Sequence, residues 1–376
     1  MKLELFELER IQSEWEHIVD INLTESGVQP LTITDLVPNE EERLKLLETS
    51  LGYSQTNGTI PLREVIASLY KGASQGNVVV TNGGAEANFI SIWNLLHENE
   101  DRNEIAMMLP NYMQIHGITT GLGGKVSPYY LRMDGTRWIP DIEGLKNAVS
   151  SKTAAVTICN PNNPTGATLD SKDLQAIVDV AEDVGAWVLS DEIYQGAEIE
   201  GSRTPSVYGM YEKVLVTNSL SKSYALPGLR LGWVVSSDLA HSTDLWSYSD
   251  YTTICPSKLS DTLAIYALQP EMRERILERT SRIVKKHWRV MKDWLDERKD
   301  IFEYVAPKAA AICFPKHNLP LSSLEIVGRL LKEKSLLIIP GEHFGLPNYL
   351  RIGFGYGEEK LRAGLERFDQ FIQEIN

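Results

Sequence analysis

The sequence predicts an α/β protein: a large domain on a mostly parallel, seven-stranded sheet flanked by helices, plus a smaller α+β domain from both chain ends. Three observations point there. Between about residues 77 and 235, short β-branched apolar runs alternate with helix-length segments. Beyond about residue 270 the alternation gives way to one long helical pattern, two short strands and a closing amphipathic helix. No internal repeat or low-complexity linker separates these regions, so the two parts are interwoven. The expected division is 44–268 for the large domain, with 1–43 and 269–376 forming the small one.

In chain order, a first helix is expected over Leu5–Ile18, and the first forty or so residues are expected to pack on the C-terminal domain. Seven runs then read as buried strands: NVVVTNGG, EIAMMLP, KVSPYYL, TAAVTICNP, AWVLSDE, KVLVTNS and GWVVSS. Between the fourth and fifth lies a helix whose Leu174, Ile177, Val178, Ala181 and Val184 share one face. Asp170 or Ser171 caps its start and Gly185 ends it. Strand–helix alternation of this kind implies a sheet covered on both faces. The stretch PEMRERILERTSRIVKKHWRVMKDWLDER reads as a single long helix, and short strands are expected around Ala311–Phe314 and Leu336–Ile339. Leu361, Leu365, Phe368, Ile372 and Ile375 form the seam of a last helix.

Composition narrows the function classes. The 376 residues carry a formal charge of −14, with 43% hydrophobic and 23% charged residues. This is a globular profile without the clustered Lys/Arg that a nucleic-acid surface requires. Cys159, Cys255 and Cys313 are widely spaced and form no CxxC pair, so neither a zinc site nor a disulfide framework is expected, and a reducing cytoplasm fits. The charged N-terminal stretch lacks the apolar core of a signal peptide, and no apolar run reaches membrane-spanning length. No metal and no membrane or nucleic-acid partner is expected.

In open α/β sheets, ligands bind at the carboxyl ends of the strands, and here those ends are rich in polar groups. Gly83 and Gly84 fall between a strand and a helix, where close backbone approach and free N–H groups favour an anion. A ligand-free tight turn fits the glycine pair equally well, and the GxGxxG fingerprint of a dinucleotide site is absent. Two Asn-Pro pairs in NPNNPTG imply a rigid loop that fixes its asparagines. Asp191 ends an apolar run, where a buried carboxylate needs a partner; a helix N-cap is the other reading. Lys222 sits in SLSKSYALPGLR, between Ser219, Ser221 and Arg230. An anion cradle, hydroxyls, an arginine, a carboxylate and an imine-forming lysine together make the set that pyridoxal phosphate needs.

With these residues in view, the chain resembles the class I/II aminotransferases, the aspartate-aminotransferase-like, fold-type I pyridoxal-phosphate enzymes. The resemblance runs from LGYSQTNGTIPLREVIASLY to YLRIGFGYGEEKL, and NPNNPTG, SDEIY and SLSKSYALPGLRLGW together make it specific. It implies that Lys222 holds the cofactor as an imine and moves the substrate's α-proton, and that Asp191 keeps the pyridine nitrogen protonated. It implies that Asn163 and Tyr194 bond the cofactor's 3′-oxygen, and that Tyr112 stacks on the ring. Ser219, Ser221, Arg230 and the N–H groups of Gly84 and Ala85 would form the phosphate cup. Tyr53 would reach the phosphate of a neighbouring subunit, which implies a homodimer with shared sites. Arg351 would grip the substrate α-carboxylate, the other reading being a surface salt bridge.

Two departures stand out. Ala85 occupies a position where relatives carry Ser or Thr, and the family's N-terminal Gly-Glu/Gln-Pro signature is replaced by NLTESGVQPLTI, where Gly27 would present its backbone to substrate. The stretch WSYSDYTTICPSKL lacks the arginine of one dicarboxylate-specific subgroup; its Asp250 would favour a basic side chain, or is simply a solvated charge. Transamination between an amino acid and a 2-oxo acid is the implied reaction. A lyase or cyclase on the same cofactor is the alternative, and a non-catalytic module retaining the fold is the rival from another class.

Overall fold

A computed structural model describes residues 3–99 and 101–375, so residues 1, 2 and 376 of the expected small domain lie outside the described part. Its central sheet has eight strands: β1 (Val78–Thr81), β2 (Glu104–Leu109), β3 (Lys125–Asp134), β4 (Arg137–Pro140), β5 (Thr153–Cys159), β6 (Trp187–Asp191), β7 (Val214–Ser219) and β8 (Gly232–Ser236). Their order across the sheet is β1-β8-β7-β6-β5-β2-β3-β4. All seven expected strands are present. The eighth, β4, pairs antiparallel with the end of β3 through a turn at Asp134–Arg137. The sheet is mixed, because β8 runs antiparallel to both of its neighbours.

β1, β5, β6 and β7 point the same way, so the segments leaving their carboxyl ends meet at one edge of the sheet. Why these runs form strands is plain from burial: every residue of β1, β5, β7 and β8 is buried, as a sheet covered on both faces requires. Each such Val or Leu side chain contributes about 1.5–3 kcal/mol when removed from water. Helix α2 (Gly84–His97) follows β1 directly, and helix α3 (Ser171–Asp183) is capped by Asp170, whose carboxylate accepts from the N–H groups of Lys172 and Asp173. Gly185, at φ +64°, closes the turn beyond it.

A second hydrophobic cluster joins residues from 21–28 to residues from 284–372. Its parts are the long helix α4 (Pro270–Asp296), the last helix α5 (Glu358–Ile375) and a three-stranded sheet of Ile312–Cys313, Leu350–Gly353 and Ile339–Pro340. Ile21–Asn22 adds to this body by pairing in parallel with Leu336–Leu337.

Not all of the N-terminal segment joins that body. Helix α1 (Glu7–Trp15) is shorter than expected, and its Leu8 packs into the hydrophobic cluster built around the eight-stranded sheet, as do Leu36 and Val37. Phe6 lies against Tyr112 with ring centroids 4.9 Å apart. The apolar positions of α1 therefore roof the edge of the large sheet, with Ile11 touching both clusters, and the stretch after it crosses to the second one. No helix among the described residues is long and apolar enough to cross a membrane.

Candidate active site

The strand ends and the roof of α1 enclose a cavity of about 340 Å³, lined among others by Gly84, Ala85, Tyr112, Asn163, Asp191, Tyr194, Ser221, Lys222, Arg230 and Arg351. That volume lies within the roughly 300–1,000 Å³ typical of small-molecule sites. Of the sequence-predicted residues, Ser219 is buried just behind the wall, where its hydroxyl accepts the Ser221 N–H at 3.1 Å. Gly27 lies behind Lys222 rather than in the wall: a Cβ built on it would sit 3.5 Å from the lysine Cδ. Its neighbour Ser26 lines the cavity instead. Tyr53 is 91% exposed and borders a separate surface groove with Leu51, Thr253 and Cys255.

On the floor, Asp191 closes β6 and no helix starts after it; the next residues form a turn. The side chain accepts from Asn88 Nδ2 at 3.2 Å and from the Ile193 N–H at 3.1 Å. Burial raises its pKa, and these two bonds together with the charge of Lys222 oppose the rise. Asn88 is itself fixed, because its Oδ1 accepts from Thr217 Oγ1 at 2.8 Å. Beneath the floor, Glu192 is wholly enclosed, and burial pushes its carboxyl up to about 8.

At one end of the cavity the start of α2 forms a concave cradle. Gly83 has φ +96°, a conformation that favours glycine. A Cβ there would lie 2.6 Å from Arg230 Nη2, so the arginine fills the space a side chain would take. Gly232 is needed for a different reason. A Cβ on it would lie 2.5 Å from the Gly83 carbonyl carbon and 2.6 Å from the Gly84 nitrogen, so its bare α-carbon lets the cradle sit against β8. Free N–H groups of α2, the Ser221 hydroxyl and Arg230 thus converge where an anion would be held.

At the opposite end stands Arg351, only 2% exposed, which settles against the surface salt bridge. Nη1 donates to Asn163 Oδ1 at 2.9 Å and Nη2 to the Thr24 carbonyl at 2.6 Å, while the guanidinium lies 5.0 Å from the centroid of Phe344. Its buried Nε has no partner among the described residues. Burial lowers the pKa of this guanidinium, and the neighbouring Tyr194, Glu25, Glu9 and Tyr112 act in the opposite sense. Tyr194, whose phenol burial holds well above its ordinary range, donates to Ser26 Oγ at 2.8 Å. Lys222 extends between the two ends, with Nζ 3.9 Å from Glu25 Oε2.

Several cavity residues were not legible as such in the sequence. Glu9 and Gln12 arrive on α1, and Gln114 donates to the Ala85 carbonyl at 2.8 Å. Asn88 had one visible signal, an amide on the apolar face of α2. Asp250 ends a helix at the surface and lies outside the cavity lining.

Comparison with known proteins agrees with this geometry. A family described as "Aminotransferase class I and II" matches residues 19–368. The structure of a PLP-dependent aminotransferase from Streptococcus suis 89-1591 superposes with a TM-score of 0.92 at 30% identity, covering 100% of this chain and 99% of that one. Aromatic-amino-acid aminotransferase 2 of Thermococcus litoralis is 28% identical over 86% of this chain and 84% of its own. Capreomycidine synthase of Streptomyces vinaceus is 26% identical over 81% of this chain and 76% of its own. With the family match spanning residues 19–368, the protein belongs to the class I and II aminotransferases and is a pyridoxal-phosphate-dependent enzyme.

Proposed function

We propose that this enzyme moves the amino group of an L-amino acid to a 2-oxo acid, with Lys222 as the tether for pyridoxal phosphate and as the carrier of the substrate's α-proton. The observation that carries this reading is the convergence of Lys222, Asp191 and Arg351 on one cavity, with an anion cradle at its far end. The residues present fit the cofactor. Arg230 and the start of α2 suit a phosphate, Asp191 suits a pyridinium nitrogen, and the unpartnered Arg351 Nε awaits a further acceptor.

When bound, pyridoxal phosphate supplies a carbonyl carbon that takes up amines and an aromatic ring that withdraws electrons from the α-carbon. The chain's own groups supply the rest. Arg351 presents a planar fork to an α-carboxylate, held in orientation by Asn163 and Thr24, and so fixes which face of the α-carbon meets Lys222. Lys222 Nζ accepts the α-proton and returns it, acting as general base and then general acid. Asp191, clamped by Asn88 and Ile193, would hold a proton on the ring nitrogen of the bound cofactor. Tyr194 and Asn163, both in the cavity lining, would hold the ring's oxygen substituent. Tyr112 and α1 cover the cavity and restrict water.

The likeness to capreomycidine synthase favours a second reading, a lyase or cyclase on the same cofactor. One experiment separates the two. Single amino acids are added to the loaded enzyme without a 2-oxo acid acceptor, and products are resolved by mass. Transamination releases a stoichiometric keto acid; release of ammonia or a cyclised amino acid overturns it in favour of the second reading.

A homodimer is part of the proposal. The exposed Tyr53 and the neighbouring Leu51, 78% exposed, offer an aromatic and apolar surface that a second copy would cover. Sedimentation at micromolar concentration should show a dimer, and a monomer with full activity overturns it. A reducing cytoplasm is the proposed compartment, supported by three cysteines that form no disulfide.

A further inference from the structure

The charges around the cavity do not cancel under the proposed chemistry, and the surplus has a definite sign. Arg230 belongs to the phosphate, Arg351 to the α-carboxylate, Asp191 to the ring nitrogen and Lys222 to the cofactor. Two carboxylates are left over. Glu9 reaches the cavity mouth from α1, where Oε1 accepts the Tyr112 hydroxyl at 2.6 Å. Glu25 lies 3.9 Å from Lys222 Nζ, and among the described residues that lysine is the only basic group within 4 Å of either carboxylate. While Lys222 holds the cofactor, as it does when a substrate enters, Glu25 is therefore without that counter-charge.

The two carboxylates are tied to the Arg351 end of the cavity: Gln12, one turn along α1 from Glu9, bonds Thr24, and Thr24, the neighbour of Glu25, accepts from Arg351 Nη2 at 2.6 Å. Gln12 lines the cavity too, and its Nε2 donates to Thr24 Oγ1 at 2.8 Å, which fixes the side chain with its carbonyl oxygen free to accept. This part of the lining thus carries the Glu9 carboxylate and the Gln12 amide oxygen beside Leu8, with Glu25 next to the lining residue Ser26 and 3.9 Å from Lys222 Nζ. A substrate carrying a second carboxylate would meet like charges there without a further cation, which penalises it. A cationic side chain would satisfy both glutamates.

We propose that the amino-donor substrate carries a cationic side chain, a guanidinium or an alkylammonium, received by Glu9 and Glu25. This rests on the aminotransferase reading of the cavity and deepens it by naming the substrate class. The Glu9–Tyr112 bond gives it a structural basis: the tyrosine that covers the cofactor position also orients the carboxylate that meets the side chain.

The test compares isosteres that differ in charge. The cofactor-loaded enzyme is titrated with L-arginine against L-citrulline, L-lysine against L-norleucine, and L-glutamate, with cofactor absorbance giving Kd and thermal shift as a second readout. In at least one pair the cationic member should bind roughly tenfold or more tightly, which is about 1.4 kcal/mol. L-glutamate should bind no better than the neutral compounds. Glu9→Gln and Glu25→Gln should each close most of that gap while leaving the neutral member's Kd within about twofold. Equal affinity within both pairs, or preference for L-glutamate, overturns the substrate class and leaves the aminotransferase reading standing. If the cofactor binds and no amino acid alters its spectrum, the aminotransferase reading itself falls, and this inference with it.

Discussion

Arg351 Nη1 donates a 2.9 Å hydrogen bond to Asn163 Oδ1, joining a strand of the small body to the rigid loop that leaves β5. The two residues are 188 positions apart in sequence, and both are buried. The bond fixes the Arg351 guanidinium relative to the sheet edge that carries Asp191 and Lys222. Under the proposed function, that contact sets the substrate's position from two distant parts of the chain.

From this follows the expected behaviour of Arg351→Lys. A point charge on a flexible stem replaces a planar fork and cannot serve Asn163, Thr24 and a carboxylate together. KM for the amino acid should rise about a hundredfold, equivalent to roughly 2–3 kcal/mol, with cofactor affinity nearly unchanged. Steady-state kinetics beside a cofactor titration checks the split.

Asp191→Asn keeps the shape of the cavity floor but removes the charge that, under the proposed function, would favour a protonated ring nitrogen. The expected outcome is retained cofactor binding with kcat lowered by at least about a hundredfold, the size of a lost general-acid or electrostatic contribution. Single-turnover kinetics with one amino acid measures it.

Gly232→Ala tests the cradle on steric grounds alone. The new methyl would overlap the Gly83 carbonyl carbon and the Gly84 nitrogen, so the start of α2 must move away from β8. Overpacking of this kind costs about 1–3 kcal/mol. Affinity for the cofactor should fall at least about tenfold, and inorganic phosphate should protect the apoprotein less well against heat. Equilibrium dialysis and thermal unfolding report the two effects.

Glu192 gives a pH prediction with a definite sign. Burial raises its carboxyl from 4.5 to about 8, against the opposing bonds from Ser206, Val207 and Ser190. Between those values the folded chain keeps a proton that the unfolded chain has released. The residue's contribution to stability is therefore fully present below about pH 4.5 and is lost as pH rises through this window. Glu192→Gln abolishes the titration, so its Tm relative to the parent should climb steadily from pH 5 to pH 8. The slope limit is about 1.4 kcal/mol per pH unit. A Tm difference independent of pH would contradict the assignment.

How much of this was readable in the sequence depends on how local each feature is. The strands were legible because residues such as Val78–Val80 and Val214–Val216 must be apolar on both faces of the sheet. Helix α3 was legible because Asp170 and Gly185 mark its ends. The eighth strand, Arg137–Pro140, was missed although Asp134–Gly135 in RMDGTRWIP is a hairpin signal; Gly135 adopts φ +58° in that turn. Motif residues at strand ends came out together, since topology alone brings one edge of a sheet to one place. Ser26 was missed in favour of Gly27 because a departure from the family signature left the register there undetermined. Glu9, Gln12 and Glu25 had no local signal at all. Their place depends on where α1 and the following stretch settle on the large sheet, a matter of long-range packing that no spacing rule encodes.

The most direct test of the central claim is chemical capture of the cofactor on the chain. The loaded protein is reduced with borohydride, digested and mapped by mass. A pyridoxyl mass is expected on the peptide containing Lys222 and on no other, absent when the same experiment is run on Lys222→Ala. A label on a different lysine, or none on a protein that binds the cofactor, would contradict that claim.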